Sequence, residues 1–323
     1  MNFTRFGAAI VLAAGFAASA SAQIQIDRPE CVAPANPGGG FDLTCRVAQT
    51  GLEPHIEAPV QVTFMPGGIG AVAFSLFNST RTDDSSAIVA FSTGSLLNIV
   101  TGKYGAFTEQ DVRWVGTAGA DFGAVVVRAD SEYNDLSQLM SEFSADPASV
   151  VVGAGGSVGS QDWMKGALLL REAGAKPMDM RYVAFDGGGD AIAALLGGSI
   201  EVYLGDVGEL VPHIESGQMR VLAVMSPERL EAPFAEIPTA REQGFDIEWT
   251  ILRGFYMGGH VPDEDYQAWV DAFEAAYATP EFAAVQKERG LLPLNLAGDA
   301  LQKSIEEQVE NLRTIAKEAG LIN

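Results

Sequence analysis

Cysteine, histidine and basic charge are scarce in this 323-residue sequence, and each shortage removes a class of function. With three histidines and two cysteines, and no histidine near either cysteine at ligand spacing, a structural or catalytic metal site is not expected. No Walker A loop and no H-E-x-x-H occurs, and Gly38-Gly39-Gly40-Phe41-Asp42-Leu43 does not complete G-x-G-x-x-G, so nucleotide and zinc-protease chemistry lack an anchor. Twenty Lys and Arg stand against 42 Asp and Glu, for a formal net charge of −22. Such a surface repels nucleic acid and anionic lipid, and neither is expected as a partner. Net charge describes solvation and steering, not the contents of a pocket. Beyond the first 22 residues there is no apolar run approaching the roughly 20 residues of a membrane span.

What is present begins with a leader. Met1–Arg5 carry one positive charge, Phe6–Ala18 are small and apolar, and Ala20-Ser21-Ala22 precede Gln23. That order is a secretory signal peptide over residues 1–22, and it predicts a cleaved, periplasmic protein. The remaining chain is long enough for two domains at about 100–200 residues each. Cys31 and Cys45 are expected to form a disulfide in that compartment, two buried thiols being the alternative.

Short β-branched runs alternate with amphipathic stretches, which predicts an α/β architecture. Strands are read at 31–35, 60–64, 87–92, 113–117, 124–128, 150–153, 181–185, 201–204 and 221–225, with 247–257 as a long extended connection. The clearest helices are read at 160–172, 190–196, 263–277 and 299–319. Five glycine-rich or hydroxyl-rich turns fall where a strand ends and a helix starts: Pro37–Asp42, Pro66–Gly70, Thr93-Gly94-Ser95, Gly153–Ser160 and Asp186–Gly189. Open α/β sheets bind ligands at that edge. Glycine lets backbone N–H groups approach a ligand, and helix N-termini add unpaired donors and partial positive charge. Several such ends around one cleft would hold an anion with few basic side chains. Any one of these turns alone is more simply a tight connection; it is the set of five that points to a site.

One motif points elsewhere. Gly155-Gly156-Ser157-Val158-Gly159 fits the G-x-S-x-G of a nucleophile elbow, with Asp206 and His213 or His260 following in hydrolase order. A serine esterase using Ser157 is therefore a remote alternative. Against it, His213 falls in a helical pattern, and the motif arises easily by chance in a chain with 36 glycines.

Pro37-Gly38-Gly39-Gly40-Phe41-Asp42, the Met65–Gly70 turn, Gly156–Ser160, Phe185–Gly188, Pro212–Gly217 and Arg220–Val224 occur in an order that resembles the Bug/TctC solute receptors of tripartite tricarboxylate transporters. The turn at 66–70 reads P-G-G-I-G, a departure from the family's P-G-x-G-G-like spelling. The stretch from Glu30 to Cys45 and Gly159–Trp163 look closest to the tricarboxylate-binding branch. The resemblance implies a type II-like Venus flytrap, a two-domain periplasmic binding protein with the ligand cleft between domains. Residues 23–121 and 249–323 would form one domain and 122–248 the other. It implies no enzyme activity and no cofactor. It implies a monomer that binds a small carboxylate, foremost a tricarboxylate such as citrate, and docks on membrane transporter components. A dicarboxylate or aromatic acid, or service to a sensor, is the alternative. The ligand would be held by Gly39, Gly40, Phe41 and Asp42, by Pro66, Gly67 and Gly68, and by Ser157, Gly159 and Ser160. Asp186, Gly187, Gly188 and Asp206 would lie nearby, while Thr93 and Ser95 would add hydroxyls. Asp42 is expected to hold water, cap its helix or accept a ligand hydroxyl, and Arg253 to supply a direct charge or a structural salt bridge.

Overall fold

In a computed structural model, residues 23–318 and 321–322 are described; the leader read at 1–22 lies outside them. Chain order gives β1 (Glu30–Ala33), α1 (Gly40–Gly51), β2 (Gln61–Phe64), α2 (Ala71–Phe77), β3 (Ala87–Ser92), α3 (Thr93–Val100) and β4 (Val112–Arg128). Then come α4 (Leu136–Ala145), β5 (Val152–Gly155), α5 (Gln161–Glu172), β6 (Tyr182–Phe185), α6 (Gly188–Leu196), β7 (Val202–Asp206), α7 (Val211–Glu215) and β8 (Met219–Val224). The chain closes with β9 (Thr250–Gly258), α8 (Asp263–Tyr277), α9 (Pro280–Glu288) and α10 (Gly298–Glu318).

The strands run in the order β2-β1-β3-β9-β4-β7-β5-β6, with β8 also paired to β4. β1, β2 and β3 are parallel to one another, as are β5, β6 and β7. These two parallel groups are joined by antiparallel β4 and β9. From Val112 to Phe122, β4 pairs with β9; from Gly123 onward it pairs with β7 and, from Ala124, with β8. One strand therefore belongs to both halves of the molecule, and its partners change at Phe122–Gly123.

Strand periodicity distributes the core. Along β3, Ala87, Val89 and Phe91 enter one apolar layer while Ile88 and Ala90 enter another, as alternating side chains must. The first layer is continuous under both halves and holds Phe91, Trp114, Val125, Leu139 and Leu204 together. The opposite face carries two separate layers, one around Trp269, Phe255 and Phe273 and one around Val126, Tyr203 and Leu210. α8 shows why such a helix docks. Three acids, Asp263, Glu264 and Asp265, occupy its positive N-terminal turn, and Trp269, Val270, Phe273 and Ala276 form one buried stripe.

Two readings are corrected. The strands expected at 113–117 and 124–128 are one strand of 17 residues. Its glycines suggest breaks, but they serve packing: a Cβ on Gly116 would stand 2.6 Å from the Phe273 ring. Register shifts between Trp114 and Gly116 and between Thr117 and Gly119 keep the ladder intact. The segment expected as an extended connection over 247–257 contains β9, a buried strand between β3 and β4. Cys31 and Cys45 do form a disulfide, which ties β1 to α1. A 14-residue separation corresponds to about 3 kcal/mol in the chain-entropy account.

Candidate ligand-binding cleft

Four helices start at the carboxyl ends of β1, β3, β5 and β6, and their first turns meet at one cavity between the two parallel groups. Two are capped by serine. Ser92 accepts from the Gly94 N–H of α3 at 3.2 Å, and Ser160 accepts from the Trp163 N–H of α5 at 3.2 Å. The other two, α1 and α6, have glycine at the cap position, Gly39 and Gly187, and no side-chain cap. Their leading N–H groups keep their hydrogen-bonding capacity and a partial positive charge.

Glycine is required at the closest approach. A Cβ on Gly40 would stand 2.3 Å from Nη1 of Arg253, and one on Gly39 would stand 3.0 Å from the Gly189 nitrogen across the cleft. Hydrogen bonds also cross from the first half to the second. Asn36 Nδ2 donates to Asp190 at 2.9 Å, Ile69 N–H to Asp186 at 3.3 Å, and Lys103 Nζ to the Val158 carbonyl at 3.0 Å. Ile69 is a β-branched residue at φ 50°, a left-handed conformation it rarely adopts. Its carbonyl accepts from Tyr104 Oη at 2.6 Å, so both of its backbone polar groups are held.

Beneath the helix ends lies a buried ionic network. Arg253 donates from Nε to Asp121 at 2.8 Å and from Nη2 to Asp206 at 2.6 Å. Lys165 reaches Asp206 at 2.5 Å and Asp162 at 2.8 Å. Burial alone would raise the Asp206 carboxyl, but Lys165 and Arg253 outweigh it and hold the group below its ordinary value. Burial raises Asp121 and Asp162, and the neighbouring cations offset this only in part. Loss of solvation and then the charge of Asp206 push Glu209 up to about 8. At neutral pH Glu209 is therefore mostly protonated. Its Oε2 accepts from Tyr203 Oη, and its Oε1 lies beside Gly188.

The cavity leaves about 50 Å³ to the centre of a water-sized sphere. It brings together Gly39, Gly40, Phe41, Ser160, Gly187, Gly188 and Asp206 from the predicted set. Gly68, Ser157 and Asp186 line an adjoining hollow instead, and Pro66, Gly67 and Gly159 line neither. Asp42 lines a second hollow, between α1, α7 and the end of α9. Its Oδ2 accepts from Gly38 N–H at 2.9 Å and its Oδ1 from Arg46 at 3.0 Å, so it braces the loop. Thr93 and Ser95 are turned to backbone groups: Thr93 Oγ1 accepts from Leu252 N–H at 2.8 Å and Ser95 Oγ from Ser92 N–H at 3.2 Å. Arg253 forms the structural ion pairs that were one of its two expected roles, and it also lines the cavity. Ser157 has Lys103 as its side-chain neighbour at 3.4 Å and His213 has Gln218 at 3.3 Å; among the described residues neither His213 nor His260 hydrogen-bonds to Ser157.

Sequence reasoning missed Ile69, Asn98, Gln161, Asp162 and Glu209, all of which line the cavity. Gln161 and Asp162 were within reach, because the first turn after a capping serine necessarily faces the same edge as the cap. Asn98 and Glu209 carry no local signal.

With that geometry in view, the comparisons with known proteins are consistent. Residues 44–321 match the family of tripartite tricarboxylate transporter receptors, TctC, and the chain belongs to it. Its members are solute-binding receptors and not enzymes. The chain is similar to Protein BugT of Bordetella pertussis, 26% identical over 316 residues, covering 90% of this chain and 94% of that protein. Two solved structures from Rhodopseudomonas palustris share the fold. Rpa4515 with adipate superposes with a TM-score of 0.79 at 19% identity, covering 92% of this chain and 97% of the other. MatC with bound malate gives 0.75 at 18%, covering 90% and 98%. The fold is thus that of an α/β periplasmic binding protein. Among the described residues no helix is long and apolar enough to cross a membrane.

Proposed function

We propose that this receptor closes two lobes, residues 23–121 with 249–323 and residues 122–248, on a carboxylate anion and presents it to the membrane components of a tripartite tricarboxylate transporter. The observation that carries the reading is the pair of glycine-opened, uncapped helix ends, α1 and α6, meeting one cavity beside Arg253. Amide dipoles concentrate positive potential there although the chain as a whole is acidic. The hinge is the partner change of β4 at Phe122–Gly123 together with the stretch leading into β9. The protein works as a monomer in the periplasm, after removal of residues 1–22.

The tricarboxylate expected from the sequence, citrate, is the first ligand to test. A smaller dicarboxylate is the second reading, and specific observations favour it. About 50 Å³ is room for only a few water molecules at about 10–15 Å³ each. The Asp162 and Asp206 carboxylates also line the cavity and oppose a trianion. Malate and adipate are the acids bound to the two similar structures.

A thermal-shift series of the purified protein with citrate, malate, succinate, adipate, an aromatic acid and a neutral vitamin tests the reading. Ligand at a hundredfold excess over Kd stabilises the native state by about 2.7 kcal/mol. A shift confined to carboxylates is expected, and a shift with the vitamin alone contradicts the anion site. Docking on a sensor in place of a permease would leave this result unchanged and is separated by capture of the membrane partner.

A further inference from the structure

We infer that Gln161 and Asn98 read a hydrogen-bond donor on the ligand, so that the substrate is a carboxylate bearing a hydroxyl or an ammonium group and not a bare alkanedioate. This rests on the carboxylate reading above and refines it.

Gln161 begins α5 and is 7% exposed; Asn98 lies on α3 and is 4% exposed. Both line the cavity. The Gln161 amide has a defined direction, because its Nε2 faces two carboxylate oxygens, Asp162 Oδ1 at 3.4 Å and Asp206 Oδ2 at 3.5 Å. Turning its oxygen toward them would set acceptor against acceptor. Oε1 therefore points away from the ionic network, and it is a buried acceptor without a protein partner among the described residues. Asn98 Oδ1 is the same.

Three of the nearby donors are already engaged. Gly94 N–H is given to Ser92, Trp163 N–H to Ser160, and the Ser160 hydroxyl to the Gly155 carbonyl at 3.0 Å. Buried acceptors are almost always satisfied. A carboxylate cannot satisfy them, since it offers only acceptors. A hydroxyl or ammonium on the same ligand can. The cavity then has two chemically different sides. The amides of α1 and α6 with Arg253 suit the carboxylate, and Gln161 with Asn98 suits the donor.

The charge around the cavity ranks the two donors. Three carboxylates, Asp121, Asp162 and Asp206, stand against two cations, Arg253 and Lys165, in the network at the cavity, with Glu209 protonated beside them. An ammonium is better accommodated there than a further negative charge.

Matched acids differing by one donor test this. Calorimetric titrations of the purified protein with succinate, malate and aspartate, and with tricarballylate and citrate, isolate the hydroxyl or ammonium. The donor-bearing acid of at least one set is expected to bind at least about tenfold more tightly, the discrimination that an unsatisfied buried acceptor imposes. Aspartate ahead of malate identifies an ammonium, and the reverse order a hydroxyl. Gln161→Met should bring the matched acids within about threefold of each other, read as the ratio of their affinities. Asn98→Leu provides the same readout where the first variant folds poorly. Equal affinities within the matched sets of the unaltered protein overturn the inference and leave the carboxylate reading standing, water being then the partner of both oxygens. Failure of all five acids to bind removes the carboxylate reading and the inference with it.

Discussion

The two pairs of helix ends at the cleft solve the same problem in opposite ways. α3 and α5 begin with serines whose hydroxyls take up their own first-turn amides. α1 and α6 begin with glycines that take up nothing and leave those amides available. Glycine at the cap position costs a helix only a few tenths of a kcal/mol relative to serine, so two ends of this chain leave their amides open at little cost in stability. The difference marks α1 and α6 as the ends left open to an anion. Capped ends position side chains, Gln161 and Asn98 among them, whereas uncapped ends leave their backbone amides free, as the proposed binding mode requires.

The strongest way to break the contrast is to remove the cation below it. Arg253→Met leaves Asp121 buried without its cation and Asp206 with Lys165 alone, and the loss of one member of a buried pair costs about 3–5 kcal/mol. Urea unfolding should show that loss, together with the disappearance of carboxylate binding. A smaller and more selective change is Gly187→Ser, which converts α6 into a capped end. Gly187 has φ 161°, extended backbone open to any residue, although its new Cβ would approach that of Ala35 to 3.1 Å. The added cap favours the helix by only a few tenths of a kcal/mol relative to glycine, while the capture of amides should weaken carboxylate affinity about fivefold in calorimetry. Ser160→Ala runs the contrast the other way. It should lower stability by about 1 kcal/mol and leave the affinity of malate within about threefold, since the hydroxyl is used by Trp163 and Gly155.

The smallest effect is on pH dependence. Glu209 has a carboxyl raised from its ordinary value to about 8, so the folded state holds that proton more tightly than the unfolded chain. Its contribution is fully present below the unfolded value, near 4.5, and is lost as pH rises through about 8. Unfolding free energy should fall by about 1 kcal/mol between pH values of about 7 and about 9. Glu209→Gln should flatten that slope.

How much of this could be read from the sequence depends on whether the signal is local. β3 at 87–92 and α8 at 263–277 have the bounds their patterns predict, because alternation and an acid-opened apolar stripe are carried within the segment. The glycine turns were visible for the same reason, and so was the disulfide. β9 was not, because its place depends on β3 and β4, more than 100 residues away along the chain. The site divides in the same way. Gly39, Gly40, Gly187 and Gly188 announce themselves by composition. Asp42 hydrogen-bonds Gly38 and Arg46 and lines a neighbouring hollow, a placement its loop motif does not reveal. Glu209 and Asn98 gain their meaning only from folding, which sets them against residues distant in sequence.

The account's central claim is that backbone amides of α1 and α6, and not those of α3, grip the ligand carboxylate. Amide chemical shifts recorded while malate and citrate are titrated into labelled protein test it most directly. The account predicts the largest displacements at Gly40, Phe41, Gly188 and Gly189, with Gly94 nearly unmoved because Ser92 already holds it. Displacements centred on Gly94 and its neighbours, with the α1 and α6 amides unchanged, would contradict it.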